Sequence, residues 1–172
     1  EFLRRGALGR GGEPDRGTLN YIKTRTGHNY FEDADGGPWR CYNFIPDSIC
    51  IESVRNPQDF YNSAKSFGGF LRELGEYPAD TLHETIEKFH DTRKRYADFE
   101  RALERDVKGR AKHCRREIEF VQRHRGDCAV LMDLLEHGEL PLRVTHNDTK
   151  LNNILFDEKT GEGLCVIDLD TI

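Results

Sequence analysis

The 172-residue sequence predicts an α+β fold. Three observations carry that expectation. Before residue 46, short apolar runs alternate with polar residues and are punctuated by turns. Between 57 and 135, apolar residues recur at three- and four-residue spacing. After 142, short strand-like runs return. Small sheet, helices, small sheet is the coarse order.

Composition narrows the class. Hydrophobic residues make up 36% and charged residues 33%, but aromatics reach 10% and the patterning is regular, which excludes a disordered chain. No run of 18 apolar residues occurs, so no membrane partner is expected. The formal charge is -5. The stretch from Lys88 to Arg125 is rich in Arg and Lys, yet Asp and Glu interleave at helical spacing. It reads as solvated helix faces and not as a nucleic-acid surface. Five cysteines, at 41, 50, 114, 128 and 165, contain no CxxC pair, which argues against zinc and for a reducing, cytoplasmic setting. The chain opens on Glu1 without Met or a signal-like apolar core, and stops at Ile172 just after an apolar run. It reads as a piece of something longer.

Each element follows from local chemistry. Residues 1–17 are rich in Gly and Arg without a period and are expected as loop. Leu19 and Tyr21 alternate with polar residues, then Thr26-Gly27 turns. Asn29-Tyr30-Phe31 leads into the turn Asp33-Ala34-Asp35-Gly36-Gly37, and Trp39 to Ile45 forms a third run, closed by Pro46-Asp47. These are expected as consecutive antiparallel strands, with Trp39 and Tyr42 packed in core or sheet. Asn56-Pro57 opens a helix, Asn as cap and Pro at its first position. Phe60, Ala64, Phe67, Leu71 and Leu74 share one face of it, and Gly75 and Pro78 end it. Residues 79–91 are expected as loop, 92–106, 109–124 and 129–135 as helices, and His90 in a cap arrangement. Residues 142–145, 152–156 and 164–167 read as strands, with a hairpin turn over 157–163.

The chemistry concentrates at the end of the chain. His146-x-Asp148-x4-Asn153 lies between two predicted strands, and Asp168 ends the strand after the hairpin. The pattern resembles the kinase catalytic loop followed by a metal-binding Asp. A hairpin returns Asp168 toward Asn153, which joins a carboxylate to an amide oxygen, the hard donors that Mg²⁺ takes. Asp148 projects from the loop, where it can orient an attacking hydroxyl and accept its proton. His146 reads as a structural residue bracing the loop. Lys150, Asn152 and Asp170 are candidates for contact with phosphate or substrate.

Two positions choose among kinases. Asn147 stands where protein kinases carry Arg, and Asp168-Leu169-Asp170 stands where they carry Asp-Phe-Gly. Both resemble the aminoglycoside phosphotransferase and choline kinase superfamily. Within it, Thr145 to Asn153 together with Val166 to Thr171 looks most like the N-acetylhexosamine 1-kinases. Trp39-Arg40-x-Tyr42-x-Phe44-Ile45 and Phe89-His90-Asp91-Thr92-x-x-Arg95-Tyr96 agree. The resemblance covers roughly 18–172. It implies a protein-kinase-like two-lobe fold, here truncated at both ends. Residues 1–45 would be a remnant of the nucleotide lobe, 46–55 the hinge and 56–172 the first part of the helical lobe.

The resemblance further implies ATP-dependent phosphorylation of the anomeric hydroxyl of N-acetylglucosamine or N-acetylgalactosamine, with ATP and Mg²⁺ as cofactors. Asp148 would be the base, and Asn153 and Asp168 the metal ligands. Asp148, Lys150, Asn152 and Asp170 would face the substrate. Phe44, Ile45, Pro46 and Asp47 would meet adenine at the hinge. A phosphate-covering loop and a phosphate-binding Lys are not found, Lys23 lying too near the hinge strand. The competing readings are a kinase of choline, homoserine or aminoglycosides, an inactive kinase fragment acting as a binding module, and a metal-dependent hydrolase built on His146, Asp148, Asp168 and Asp170.

Overall fold

The computed structural model describes residues 1–9 and 13–172. It is a mixture of helices and small antiparallel sheets, the α+β class that the sequence predicts. The chain divides into two compact units, Glu1–Leu82 with Arg143–Ile172, and His83–Leu142.

The first unit is built on a three-stranded antiparallel sheet. Its strands are β3 (Ser48–Cys50), β4 (Ile154–Asp157) and β5 (Gly163–Val166), in the order β3-β4-β5. Ile49 pairs with Phe156 and Leu155 with Cys165. A strand lying inside the expected hinge, 46–55, thus joins the C-terminal hairpin, a pairing that no local pattern announces. Ile154 and Phe156 point into the core, each 0% exposed, with Ile51 and Phe67. Their alternation with Leu155 is the two-residue period of a strand with one covered face.

Helix α3 (Pro57–Glu73) covers that face. Its start is the one read from sequence: the Asn56 side chain accepts from the Asp59 amide at 3.0 Å, and Pro57 follows. The buried stripe differs from the expected one. Phe60 and Leu71 are exposed, while Asp59, Asn62, Ser63, Phe67 and Phe70 are buried. Asp59 and Asn62 hold these positions because both have partners. Asp59 takes Arg55 at 2.9 and 3.0 Å, and Asn62 donates to the Gly161 carbonyl at 2.7 Å. The helix lies so close to β5 that a Cβ on Gly163 would meet Ser66 Oγ at 1.8 Å and Ser66 Cβ at 3.0 Å, so any larger residue there would make Ser66 shift.

The N-terminal reading as loop is corrected. Residues Phe2–Gly9 form α1 and Pro14–Gly17 form the short α2, while 10–12 lie outside the described residues. Phe2 and Leu3 pack against Phe70, Leu74 and Val144, and that contact overrides a glycine-rich composition. The three early strands are much shorter than expected. Only β1 (Phe31–Glu32) and β2 (Pro38–Trp39) pair as strands, and Tyr21 and Tyr42 form a single bridge. Trp39 is not packed in a core. It is exposed and donates its indole N–H to Asp33 at 2.6 Å, across the turn. Residues 142–145 form no strand; Val144 is buried by side-chain packing without a ladder.

The second unit is helical: α4 (Thr92–Arg105), α5 (Arg115–Arg123) and α6 (Val130–Glu136). Asp91, not His90, caps α4, accepting from the Lys94 amide at 3.0 Å. His90 lies tilted against Phe89, with ring centroids 4.6 Å apart. The single helix expected over 109–124 is split, a 3-10 turn at Ala111–His113 preceding α5. Arg93 ties α4 to α6 through Asp133 and Glu136. No helix among the described residues is long and apolar enough to cross a membrane.

Two outcomes test this core. Ile154→Ala should lower unfolding free energy by roughly 2–5 kcal/mol, read from urea denaturation, because a fully enclosed site collapses poorly. The Arg55 guanidinium beside Asp59 holds that carboxyl down to about 2, from 3.8. A depressed carboxyl stabilises the fold above its unfolded value and loses the effect as pH falls through its folded value. The stability gap between the native chain and Asp59→Asn should therefore be full above pH ~4 and close toward pH ~2 in an acid titration.

Candidate active site

The site grows from the β4–β5 hairpin and the loop that precedes it. His146 is buried, its ring edge-to-face with Phe67 at 5.2 Å and Phe70 at 5.8 Å. Its Nε2 lies 2.8 Å from the Ile167 carbonyl, and the Asp148 amide donates to its Nδ1 at 3.3 Å. A carbonyl only accepts, so Nε2 carries the proton and Nδ1 its lone pair; the imidazole is neutral. One ring thus spans the loop and the strand that delivers Asp168.

Asn153 makes a second tie. Its main-chain carbonyl accepts from the Ile167 amide at 2.9 Å, and its own amide donates to the Lys150 carbonyl at 3.0 Å. Its side-chain Nδ2 donates to the Asp148 carbonyl at 2.8 Å and to Asp148 Oδ2 at 3.2 Å. Both partners are acceptors, so Nδ2 must face them and Oδ1 faces the other way. Lys150 Nζ sits 2.7 Å from Asp148 Oδ2. That lysine, chiefly, holds the Asp148 carboxyl below its ordinary range, with Asn153 assisting. Asp148 Oδ1 has no hydrogen-bond partner among the described residues.

Backbone strain marks both sides. Asn147 (φ 65°) and Asp168 (φ 59°, ψ 60°) adopt the left-handed conformation. Asn and Asp tolerate it better than other side chains. Asp168 turns the chain out of β5 into a short 3-10 turn, Leu169–Thr171. Asp170 then points at Arg40, 130 residues earlier, in an ion pair. The guanidinium also lies 5.7 Å from the Tyr21 ring centroid, and Tyr21 meets Tyr42 edge-on at 5.9 Å.

The structure gathers His146, Asp148, Lys150, Asn153 and Asp168 around one hairpin. Asn152 is exposed on the 3-10 turn Leu151–Asn153. Residues Phe44–Asp47 are not beside Asp148. Phe44 is exposed, and the carbonyls of Ile45, Pro46 and Asp47 accept from Ser48 Oγ, Arg16 and the Glu158 amide. They precede Ser48, which pairs with Asp157 at the far end of β4, ~13 Å from Asn153 at ~3.3 Å per residue. Arg40 and Thr171 were missed from sequence. A cation inside the apolar run Trp39–Ile45 was the one available signal for Arg40.

The described residues contain no group of three or more His, Cys, Asp or Glu placed to hold a metal ion on their own. Asn153 Oδ1 and the Asp168 carboxylate supply two hard oxygens at adjacent ends of a ladder. Such a partial set fits Mg²⁺ shared with phosphates and water, since Mg²⁺ uses few protein ligands in phosphoryl-transfer sites.

A family model described as the phosphotransferase enzyme family matches residues 21–172. The chain belongs to that family. Membership implies ATP-dependent phosphoryl transfer to a small molecule, usually with Mg²⁺. The superfamily named from the Asn147 and Asp168-Leu169-Asp170 signature is therefore the right one. The match in this phosphotransferase begins at Tyr21, after α1 and α2, and takes in the whole catalytic-loop pattern.

Because Lys150 is the main cause of the depressed Asp148 carboxyl, Lys150→Met should raise its titration midpoint. A ¹³C carboxyl titration by NMR checks this; an unmoved midpoint would contradict the assigned cause.

Proposed function

We propose that the protein transfers the γ-phosphoryl group of ATP to the anomeric hydroxyl of N-acetylglucosamine or N-acetylgalactosamine. The observation that carries the site assignment is the distribution of cations. Three carboxylates cluster within the catalytic loop and the turn after β5. Lys150 pairs Asp148, and Arg40 pairs Asp170. Asp168 has no ion-pair or hydrogen-bond partner among the described residues. Lys150 and Arg40 lie near Asp168 but pair the other two carboxylates, so Asp168 is the one that an external cation would pair directly.

On this reading Asp168 and Asn153 Oδ1 would hold Mg²⁺, which offsets negative charge on the phosphates when bound. Asp148 accepts the proton of the acceptor hydroxyl at Oδ1, the oxygen not taken by Lys150 or Asn153. The acceptor oxygen forms its bond to phosphorus as the bond to ADP breaks. Lys150, exposed beside the base, is placed to meet the transferring group, and Asn152 and Asp170 to meet the sugar or phosphates. His146 takes no proton, because both its nitrogens are engaged in holding the loop. Phe44–Asp47, one strand length away along β4, suits adenine at a distance from the reacting phosphate. The division into a nucleotide side before 46 and a catalytic side after 55 goes with this reading. The sugar itself rests on the sequence pattern of Thr145–Asn153 and Val166–Thr171.

An ADP-release assay with N-acetylhexosamines should give Mg²⁺-dependent turnover by the full chain. Asp148→Asn should reduce kcat by roughly 10²–10⁴-fold, the range for loss of a general base. Turnover with choline, homoserine or an aminoglycoside but not with sugar would remove the sugar claim and keep the reaction class. ATP binding without turnover on any acceptor would instead favour a binding module.

A further inference from the structure

We infer that Asn147 and Thr171 are positioning residues for phosphoryl transfer, forming a clasp that fixes the catalytic loop against the turn carrying Asp168. The inference rests on the assignment of Asp148 and Asp168 proposed above. Asn147 Nδ2 donates to the Thr171 carbonyl at 2.6 Å, and Thr171 Oγ1 donates to the His146 carbonyl at 2.8 Å. The two bonds run in opposite directions between the same two segments. Thr145 Oγ1 completes the arrangement by donating to Asn147 Oδ1. That bond fixes which end of the amide is nitrogen and therefore aims the donor at Thr171.

Geometry separates this clasp from ordinary loop polarity. Asn147 directly precedes Asp148 and is left-handed at φ 65°; its amide goes to Thr171 while the Asp148 carboxylate goes to Lys150 and Asn153. Thr171 lies three residues beyond Asp168, itself left-handed at φ 59°. Asp148 thus follows a left-handed residue and Asp168 is one, and the clasp joins the two turns. Strained backbone persists only where its surroundings over-determine it. His146 to Ile167 is the buried tie between the segments, and the clasp is the outer one. With both present, the loop and turn are held at two separated points, which stops rotation about either.

The variants Asn147→Gly, which keeps the left-handed conformation, and Thr171→Val, which keeps the shape, test the assignment in the full chain. Each should lower kcat by roughly 10- to 100-fold through misplacement. Each should also raise the Mg²⁺ concentration for half-maximal rate by roughly tenfold, the range for lost outer partners of a metal site. The acceptor KM should stay unchanged. The double variant should be no worse than the poorer single one, because both remove one unit. Thr171→Ser should restore the rate. Additive losses, or single variants with native kcat and Mg²⁺ dependence, would overturn the clasp while leaving Asp148→Asn to judge the reaction. If the native chain shows no phosphoryl transfer, the proposed function falls. Hydrogen exchange at the Asp148 and Ile167 amides then decides the clasp: faster exchange in both variants keeps it, and unchanged exchange overturns it.

Discussion

The site depends on one buried imidazole. His146 donates from one nitrogen and accepts at the other, so a single rigid ring sets the spacing between the loop that presents Asp148 and the strand that presents Asp168. Its place between Phe67 and Phe70 excludes water from both bonds, which strengthens them and makes either expensive to lose. A protonated ring could not accept from the Asp148 amide, and an aliphatic residue would strand two backbone groups. Helix α3 therefore serves the site at one remove: it supplies both aromatic walls.

Long-range pairing places the ring's own supports. β3 precedes α3, yet it pairs with β4, after the whole helical unit His83–Leu142. Sequence-distant strands so joined carry a large loop-closure cost, and the compensation lies in what they enclose. Ile51, Phe67, Ile154 and Phe156 form one cluster behind the hairpin. Gly163 leaves room for the Ser66 side chain of α3 against β5, and Asn62 and Lys65 reach the turn at Gly161 and Glu162. The hairpin that carries Asn153 and Asp168 is rigid because a helix lies on one of its faces.

What was legible in the sequence had local causes. The Asn56-Pro57 start, the turn over 157–163 and the spacing from His146 to Asn153 each depend on a few adjacent residues. Features set by distant partners were not legible. Residues 2–9 become a helix because Phe2 and Leu3 find Phe70 and Leu74. The face of α3 turns away from Phe60 because Asp59 and Asn62 have partners waiting in Arg55 and Gly161. The run 142–145 carries strand-forming residues but meets no strand edge. Within the site, residue types announced Asp148, Asn153 and Asp168. The bonds between Asn147 and Thr171 needed coordinates, since an Asn amide and a Thr hydroxyl are common in any polar loop.

Charge gives the arrangement its direction. On the proposed reading, the Lys150 pair makes Asp148 a weak base in the absence of substrate, because the ammonium stabilises its ionised form. Both partners are partly exposed, so the pair is loosely held and screened by solvent. A transferring phosphoryl group offers the lysine a more strongly charged partner than a single carboxylate. As Lys150 moves toward it, Asp148 loses the charge that depressed its proton affinity. Its basicity rises at the step where the acceptor hydroxyl must give up a proton. Arg40 does not follow the same path. Its guanidinium is held between Asp170 and the Tyr21 ring, two contacts in place of one. On the same reading the two cations would divide their work: Lys150 would travel with the phosphoryl group, while Arg40 stays with Asp170.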